Sequence, residues 1–386
     1  MLDTLLGILA WFTQWSDPLA WLVVGTFTTG ALLGWSDRRS DGDRYLTVGV
    51  WLLFGAFWAL LVYYYAVGQG AVVEGIATLG ALPLALGAAA GLLSVMNTTR
   101  NSRRLVTVGA WLLFGLFWFT LIYHFAVVQK SFVEGIGTLV GVPASLYVAY
   151  LLADGRDTLF VLSRAIAVMG IVFLPFETLV VFQRPLVETV TRQTEFLMGV
   201  VGHNPEVVSG NLVNEVQQSA SREYPSYRNT FEFYPDPDHR ITYTIIIACT
   251  GIGSMAIFAG MIAAVRAPLR RKLRALAVSI PVIYGLNLVR NVFIGLSFGE
   301  QYLHVFPNAV MTLFATSDPY MVSYFVADRI MAQVLSVVAL VAITWLVVRE
   351  LPEVLVIVED VLYLLTGSEY DLRDSLGVQP VRADGE

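Results

Sequence analysis

Runs of about twenty apolar residues constrain this chain more than any other feature, because a helix needs roughly that length to cross the hydrocarbon core of a bilayer. Leu46–Val67, Val106–Val128, Leu159–Phe182 and Phe325–Val348 each reach it. Of the 386 residues, 56% are hydrophobic and 14% charged, against roughly 25% charged in an ordinary soluble domain, so most of the surface suits lipid. The net charge of −6 gathers in loops and in the segment from Glu353 to Glu386; so placed, it points to no nucleic-acid partner. The first residues are apolar, but Asp3 stands where a cleavable signal carries positive charge, and no small-residue cleavage site precedes the next run. They read as mature protein.

Apolar runs at 19–35, 45–67, 72–95, 105–128, 132–152, 158–183, 241–265, 273–297 and 325–348 predict an all-α fold. It is a polytopic membrane helix bundle with about nine transmembrane helices. Residues Arg44–Leu86 and Arg104–Leu146 repeat 60 positions apart, TVGVWLLFGAFW matching TVGAWLLFGLFW and VVEGIATL matching FVEGIGTL. Each copy is two apolar segments split at Gln69 or Gln129, a helical hairpin duplicated in parallel. The organisation is therefore 1–152 with hairpins 44–86 and 104–146, a second membrane domain over 158–350 that includes the polar segment 184–240, and a tail over 351–386.

Basic residues in short loops mark the cytoplasmic side. If the spans alternate, Arg38, Arg39 and Arg44, then Arg100, Arg103 and Arg104, then Arg156, then Arg266, Arg270, Arg271, Lys272 and Arg274 share one side. Segments 184–240 and 298–324 then lie outside, and the C-terminus is cytoplasmic. Val187–Val201 reads as an amphipathic helix with Arg192 and Glu195 toward water. A polar segment this long is a lid, a docking surface or a linker.

The chain has one cysteine, Cys249, which excludes an internal disulfide framework and any multi-cysteine zinc site. A lone cysteine in a membrane helix is ordinarily a small hydrophobe, and Arg329 near a helix end can snorkel. Arg290 is deeper and needs a partner or a wet cavity. Taken together the three read differently, since a thiol attacks as thiolate, burial disfavours that form and a fixed guanidinium favours it. A second guanidinium can stabilise an oxyanion. Asn287 and Asn291 bracket Arg290 at helical spacing and can hold its side chain. Asp328 either neutralises Arg329 or faces the other side of its helix. Glu177 can pair with Arg184 or Arg290, and Glu74 and Glu134 complement helix N-termini. His203, His239 and His304 have no metal-binding spacing, and no cofactor motif, HExxH, GxSxG serine motif or paired intramembrane aspartates are present.

At Ala248-Cys249-Thr250-Gly251-Ile252, Asn287–Asn291 and Asp328-Arg329 the chain resembles the archaeosortase/exosortase family, whose pattern is Cys, Arg, then Arg or His on three successive late spans. The separations here are 41 and 39 residues, and Arg329 in the third place is similar to the archaeal branch. The resemblance covers roughly 159–348. It implies a cysteine-dependent membrane transpeptidase or protease with Cys249 as nucleophile and Arg290 and Arg329 as catalytic partners. The substrate implied is the C-terminal sorting-signal helix of secreted or surface-layer proteins: a Pro-Gly-Phe-type motif, a hydrophobic helix and a basic end. Its removal is coupled to attachment of an archaeal ether lipid, with no cofactor or metal. The rival readings are a secondary transporter and a non-catalytic membrane assembly protein.

Overall fold

A computed structural model describes residues 11, 13, 16–36, 100–128, 132–209, 227–237 and 239–375. The expected hairpin 44–86, with Glu74 and the spans 45–67 and 72–95, lies outside them. In chain order the helices begin with α1 (Ser16–Ser36), α2 (Arg100–Tyr123, continued by a π turn His124–Val128), α3 (Phe132–Asp154), α4 (Leu159–Thr178) and α5 (Val180–Val200). Three strands follow: β1 (Glu206–Ser209), β2 (Arg228–Asp236) and β3 (His239–Thr244). A 3-10 turn Ile247–Thr250 leads into α6 (Ile252–Ala264), α7 (Leu269–Gly299), α8 (Pro307–Leu313) and α9 (Met321–Tyr324). A π segment Phe325–Ala332 then joins α10 (Gln333–Glu350), and a 3-10 turn Pro352–Val354 precedes α11 (Leu355–Thr366) and α12 (Leu372–Ser375).

Five described helices are long and apolar enough to cross a membrane: Ser102–Ala126, Gly135–Asp154, Leu159–Thr178, Leu269–Gly299 and Met321–Glu350. The chain is thus a multi-pass helical membrane protein, although nine crossings are not reached among the described residues. Two expected spans are corrected. The run 158–183 breaks at Leu179, whose extended backbone (φ −110°, ψ 111°) follows Pro175 and restarts the chain as α5. The run 241–265 is not one helix: its first residues form β3, and only Ile252–Ala264 is helical.

The chain divides into two compact units, one of Met1–Leu174, Ala259–Arg266 and Pro352–Glu386, the other of Pro175–Phe258 and Ala267–Leu351. In the first, small residues let helices approach, as membrane helices require where lipid supplies no hydrophobic drive. A Cβ at Gly141 of α3 would stand 2.8 Å from the Trp118 ring of α2. Phe27 of α1 meets Trp111 edge to face at 5.3 Å, and the Trp111 indole donates to the Ser163 hydroxyl at 2.9 Å. The expected tail is ordered through α11. Its Asp360 is buried, accepts from Thr158 at 2.9 Å and faces Arg156, which also reaches Glu369 at 2.7 Å and lies over the Tyr363 ring.

The second unit holds the antiparallel sheet β1-β2-β3, which the all-α expectation omits. Strand alternation sorts its side chains. Phe231, Phe233, Ile241 and Tyr243 enter one core with Val187 and Met198 of α5 and Ile294 and Phe298 of α7. The cross-strand pairs Thr230–Thr244 (3.0 Å) and Glu232–Arg240 (2.8 Å) are polar. Gly295 and Gly299 of α7 carry no Cβ where the rings of Tyr243 and Phe233 press against the helix.

Candidate active site

Cys249 sits on the 3-10 turn between β3 and α6, outside the membrane-crossing helices. The turn is fixed from three directions. Asn229 clasps Ile245 through its backbone oxygen (2.8 Å) and its side-chain amide (2.9 Å). Gly251 ends the turn at φ +76°, in the left-handed region, where a Cβ would come 3.0 Å from the Asn287 side chain. The Cys249 carbonyl accepts from the side-chain amides of both Asn287 and Asn291 at 2.7 Å each. The two asparagines are one helical turn apart on α7, so they face the turn together. They therefore hold the cysteine backbone rather than the Arg290 side chain, a correction to the sequence expectation.

Asp328 organises the charges. Arg290 donates to its Oδ1 at 2.8 Å, and Arg329 Nε lies 3.4 Å from its Oδ2. The carboxylate is buried, and the two guanidinium groups supply the charge it needs there. Asp328 sits in the π segment Phe325–Ala332, where the added residue per turn turns Asp328 and Arg329 away from a regular α-helical register; such segments concentrate at functional sites. Arg184 pairs instead with Glu188 at 2.9 Å. Of the three expected site residues, Arg290 lies within electrostatic reach of the Cys249 thiol and is bonded to Asp328, whereas Arg329 joins through Asp328 and packs 5.9 Å from the Tyr324 ring.

Burial pushes the Cys249 thiol above its ordinary value; the Arg290 guanidinium pulls it back, and the Asp328 carboxylate pushes it up again. Cys249 also packs against the core that contains Tyr243, and the two side chains act on one another electrostatically. Tyr243 carries no spacing or charge signal, and sequence reasoning placed it inside an apolar span, so it was missed. The histidines lie elsewhere: His203 bonds Tyr302 at 2.9 Å and His239 stacks on Tyr320 at 3.6 Å. No cluster of metal-ligating side chains is present among the described residues.

Residues 88–321 match the family described as transmembrane exosortase (Exosortase_EpsH). That match contains Cys249 and Arg290, stops before Arg329, and begins earlier than the sequence resemblance, taking in the second hairpin. The chain is 51% identical over 289 residues to archaeosortase A of Haloferax volcanii, covering 72% of this chain and 91% of that protein. It is 44% identical over 264 residues to archaeosortase A of Natronomonas pharaonis, covering 68% and 80%. No solved structure matches. With more than half of its length matched and relatives this similar over most of theirs, the chain belongs to the archaeosortase/exosortase family of transmembrane processing enzymes.

Proposed function

We propose that this enzyme removes the C-terminal sorting signal of secreted surface proteins through the thiol of Cys249, at the outer face of the membrane. The observation that carries the reading is that the turn bearing the sole cysteine is bonded by Asn287 and Asn291, the residues that bracket Arg290 on α7, and that Arg290 acts on the thiol from a charge network closed by Asp328 and Arg329. The Cys249 sulfur attacks the carbonyl carbon near a Pro-Gly-Phe-type motif. The carbon–sulfur bond forms, the carbon–nitrogen bond breaks, and the leaving amine takes up the proton given up by the thiol. A lipid nucleophile then attacks the thioester and regenerates the thiol, giving transpeptidation; water at that step gives proteolysis. Arg290 favours developing charge on sulfur, and its Nε has no hydrogen-bond partner among the described residues, which leaves a donor for the oxyanion. Loss of one such donor typically costs about 10²–10³ in rate. Arg329 holds the other oxygen of Asp328 and so fixes the direction in which Arg290 points.

A substrate anchored by its own C-terminal helix presents its motif at the membrane surface, and the cytoplasmic end of that helix is basic, which sets its orientation. The reading is tested in cells with Cys249→Ala and Cys249→Ser. Both are expected to leave the C-terminal helix on the surface protein, seen by mass and by loss of lipid-dependent detergent partitioning. Normal processing by either variant, expressed at the level of the unmodified chain, would overturn it.

A further inference from the structure

The proposed reaction lacks a group that can protonate the leaving amine. Arginine holds its protons too tightly to serve. Asp328 is occupied by two guanidinium groups, and the Tyr324 hydroxyl is directed to Asp328. His203 and His239 contact Tyr302 and Tyr320, not Cys249. Tyr243 remains. Its hydroxyl is buried with no hydrogen-bond partner among the described residues, its side chain belongs to the core against which Cys249 packs, and the two side chains act on one another electrostatically.

We propose that Tyr243 is a further catalytic residue, a proton relay between the Cys249 thiol and the leaving amine. The inference rests on Cys249 being the nucleophile. As sulfur bonds to the substrate carbonyl carbon, the thiol proton passes to the phenolic oxygen. The phenolic proton passes to the scissile nitrogen as the carbon–nitrogen bond breaks. Thioester, neutral amine and neutral tyrosine result, with no charge left behind. In the second step the acceptor's proton returns through the same oxygen to sulfur.

The fold holds the hydroxyl for this task. Tyr243 pairs with Phe231 across the sheet, and their rings stack at 6.3 Å. Its ring edge faces Gly295 of α7, where a Cβ would stand 3.1 Å away. An otherwise unpaired buried hydroxyl is costly, by about 1–3 kcal/mol, so its retention in the core against which Cys249 packs calls for a chemical reason. Burial raises the Tyr243 hydroxyl well above its ordinary value, which keeps it protonated and able to donate at neutral pH. The same burial disfavours a free thiolate, and a relay that moves one proton in as another moves out avoids both separated charges.

The test uses the full chain in phosphatidylcholine/phosphatidylglycerol vesicles. The substrate is a membrane peptide carrying a Pro-Gly-Phe motif, an apolar helix and a basic end, and a second version replaces the amide that the unmodified enzyme cuts with an ester. An ester oxygen leaves with far less need of a proton. Tyr243→Phe is expected to slow amide cleavage about 10²-fold or more and ester cleavage by about tenfold or less. Equal losses on both substrates indicate a packing role and overturn the relay, as does no loss on either. Cys249→Ala is expected to lose both substrates; if it cuts either, the nucleophile reading fails, whatever Tyr243 does.

Discussion

The reactivity of Cys249 is set by two opposing neighbours, and each can be removed separately. Arg290 lowers the thiol and Asp328 raises it, within a net upward shift from burial. For an acid the sign is direct: the higher the value, the smaller the thiolate fraction at neutral pH, and only thiolate is alkylated. Reaction with a small membrane-permeant alkylating agent should therefore accelerate as pH rises. Arg290→Gln should move that profile to higher pH and slow labelling at pH 7. Asp328→Asn should move it to lower pH and speed labelling, about tenfold for each pH unit of displacement. Profiles moving in the same direction would show that the two charges do not act on the thiol as the geometry indicates. The prediction also separates thiol reactivity from turnover, since Asp328→Asn removes the anchor that aligns Arg290 and should cleave substrate poorly even with a more reactive cysteine.

At the scale of elements, the 3-10 turn is held by one carbonyl with two donors. Asn287 and Asn291 both bond the Cys249 oxygen, so removing one leaves that oxygen satisfied by the other. Each single Asn→Ala change should destabilise by about 1 kcal/mol. The double change should cost more than their sum, because only then is a half-buried carbonyl orphaned; the midpoint of thermal unfolding in detergent measures it, and strict additivity would sink the shared-acceptor account. This clamp also shows what was legible beforehand. The asparagines stood out at i and i+4, but helical spacing reveals a shared face and not the acceptor it meets. Arg290 and Arg329 were legible because charge in an apolar run demands a reason. Strand β3 was not, because the run Ile241 to Val265 is apolar enough and long enough for a span, and β1 and β2 lie in the polar segment 184–240, which carries no strand expectation. With β3 read as the start of a membrane helix, nothing in the pattern brings Tyr243 to the site. Asp328 was noticed only as a neighbour of Arg329; its bond to Arg290 depends on the π segment, whose register is not written in residue periodicity.

For the whole molecule, the outer-face placement proposed for the chemistry makes a prediction about the two ends of α7. Its 31 residues rise about 46 Å, more than the roughly 30 Å hydrocarbon core, so its two ends lie on opposite sides of any bilayer it crosses. Arg270, Arg271, Lys272 and Arg274 crowd the first end, just after Arg266, while Asn287, Arg290 and Asn291 lie toward the other, where α7 meets β2, β3 and the Cys249 turn. Basic residues in short loops stay in the cytoplasm, so the proposed reading expects the sheet and the thiol to face outward. Since Cys249 is the sole cysteine, a Cys249→Ala chain reports cleanly on any cysteine introduced into it. Glu206→Cys, exposed on β1, should be labelled by a membrane-impermeant maleimide on intact cells. Arg270→Cys, exposed at the start of α7 with four basic neighbours retained, should be labelled only after permeabilisation. The reverse pattern would put the thiol in the cytoplasm, where a secreted protein with its basic end inside could not present its motif, and the proposed reaction would have no substrate to meet.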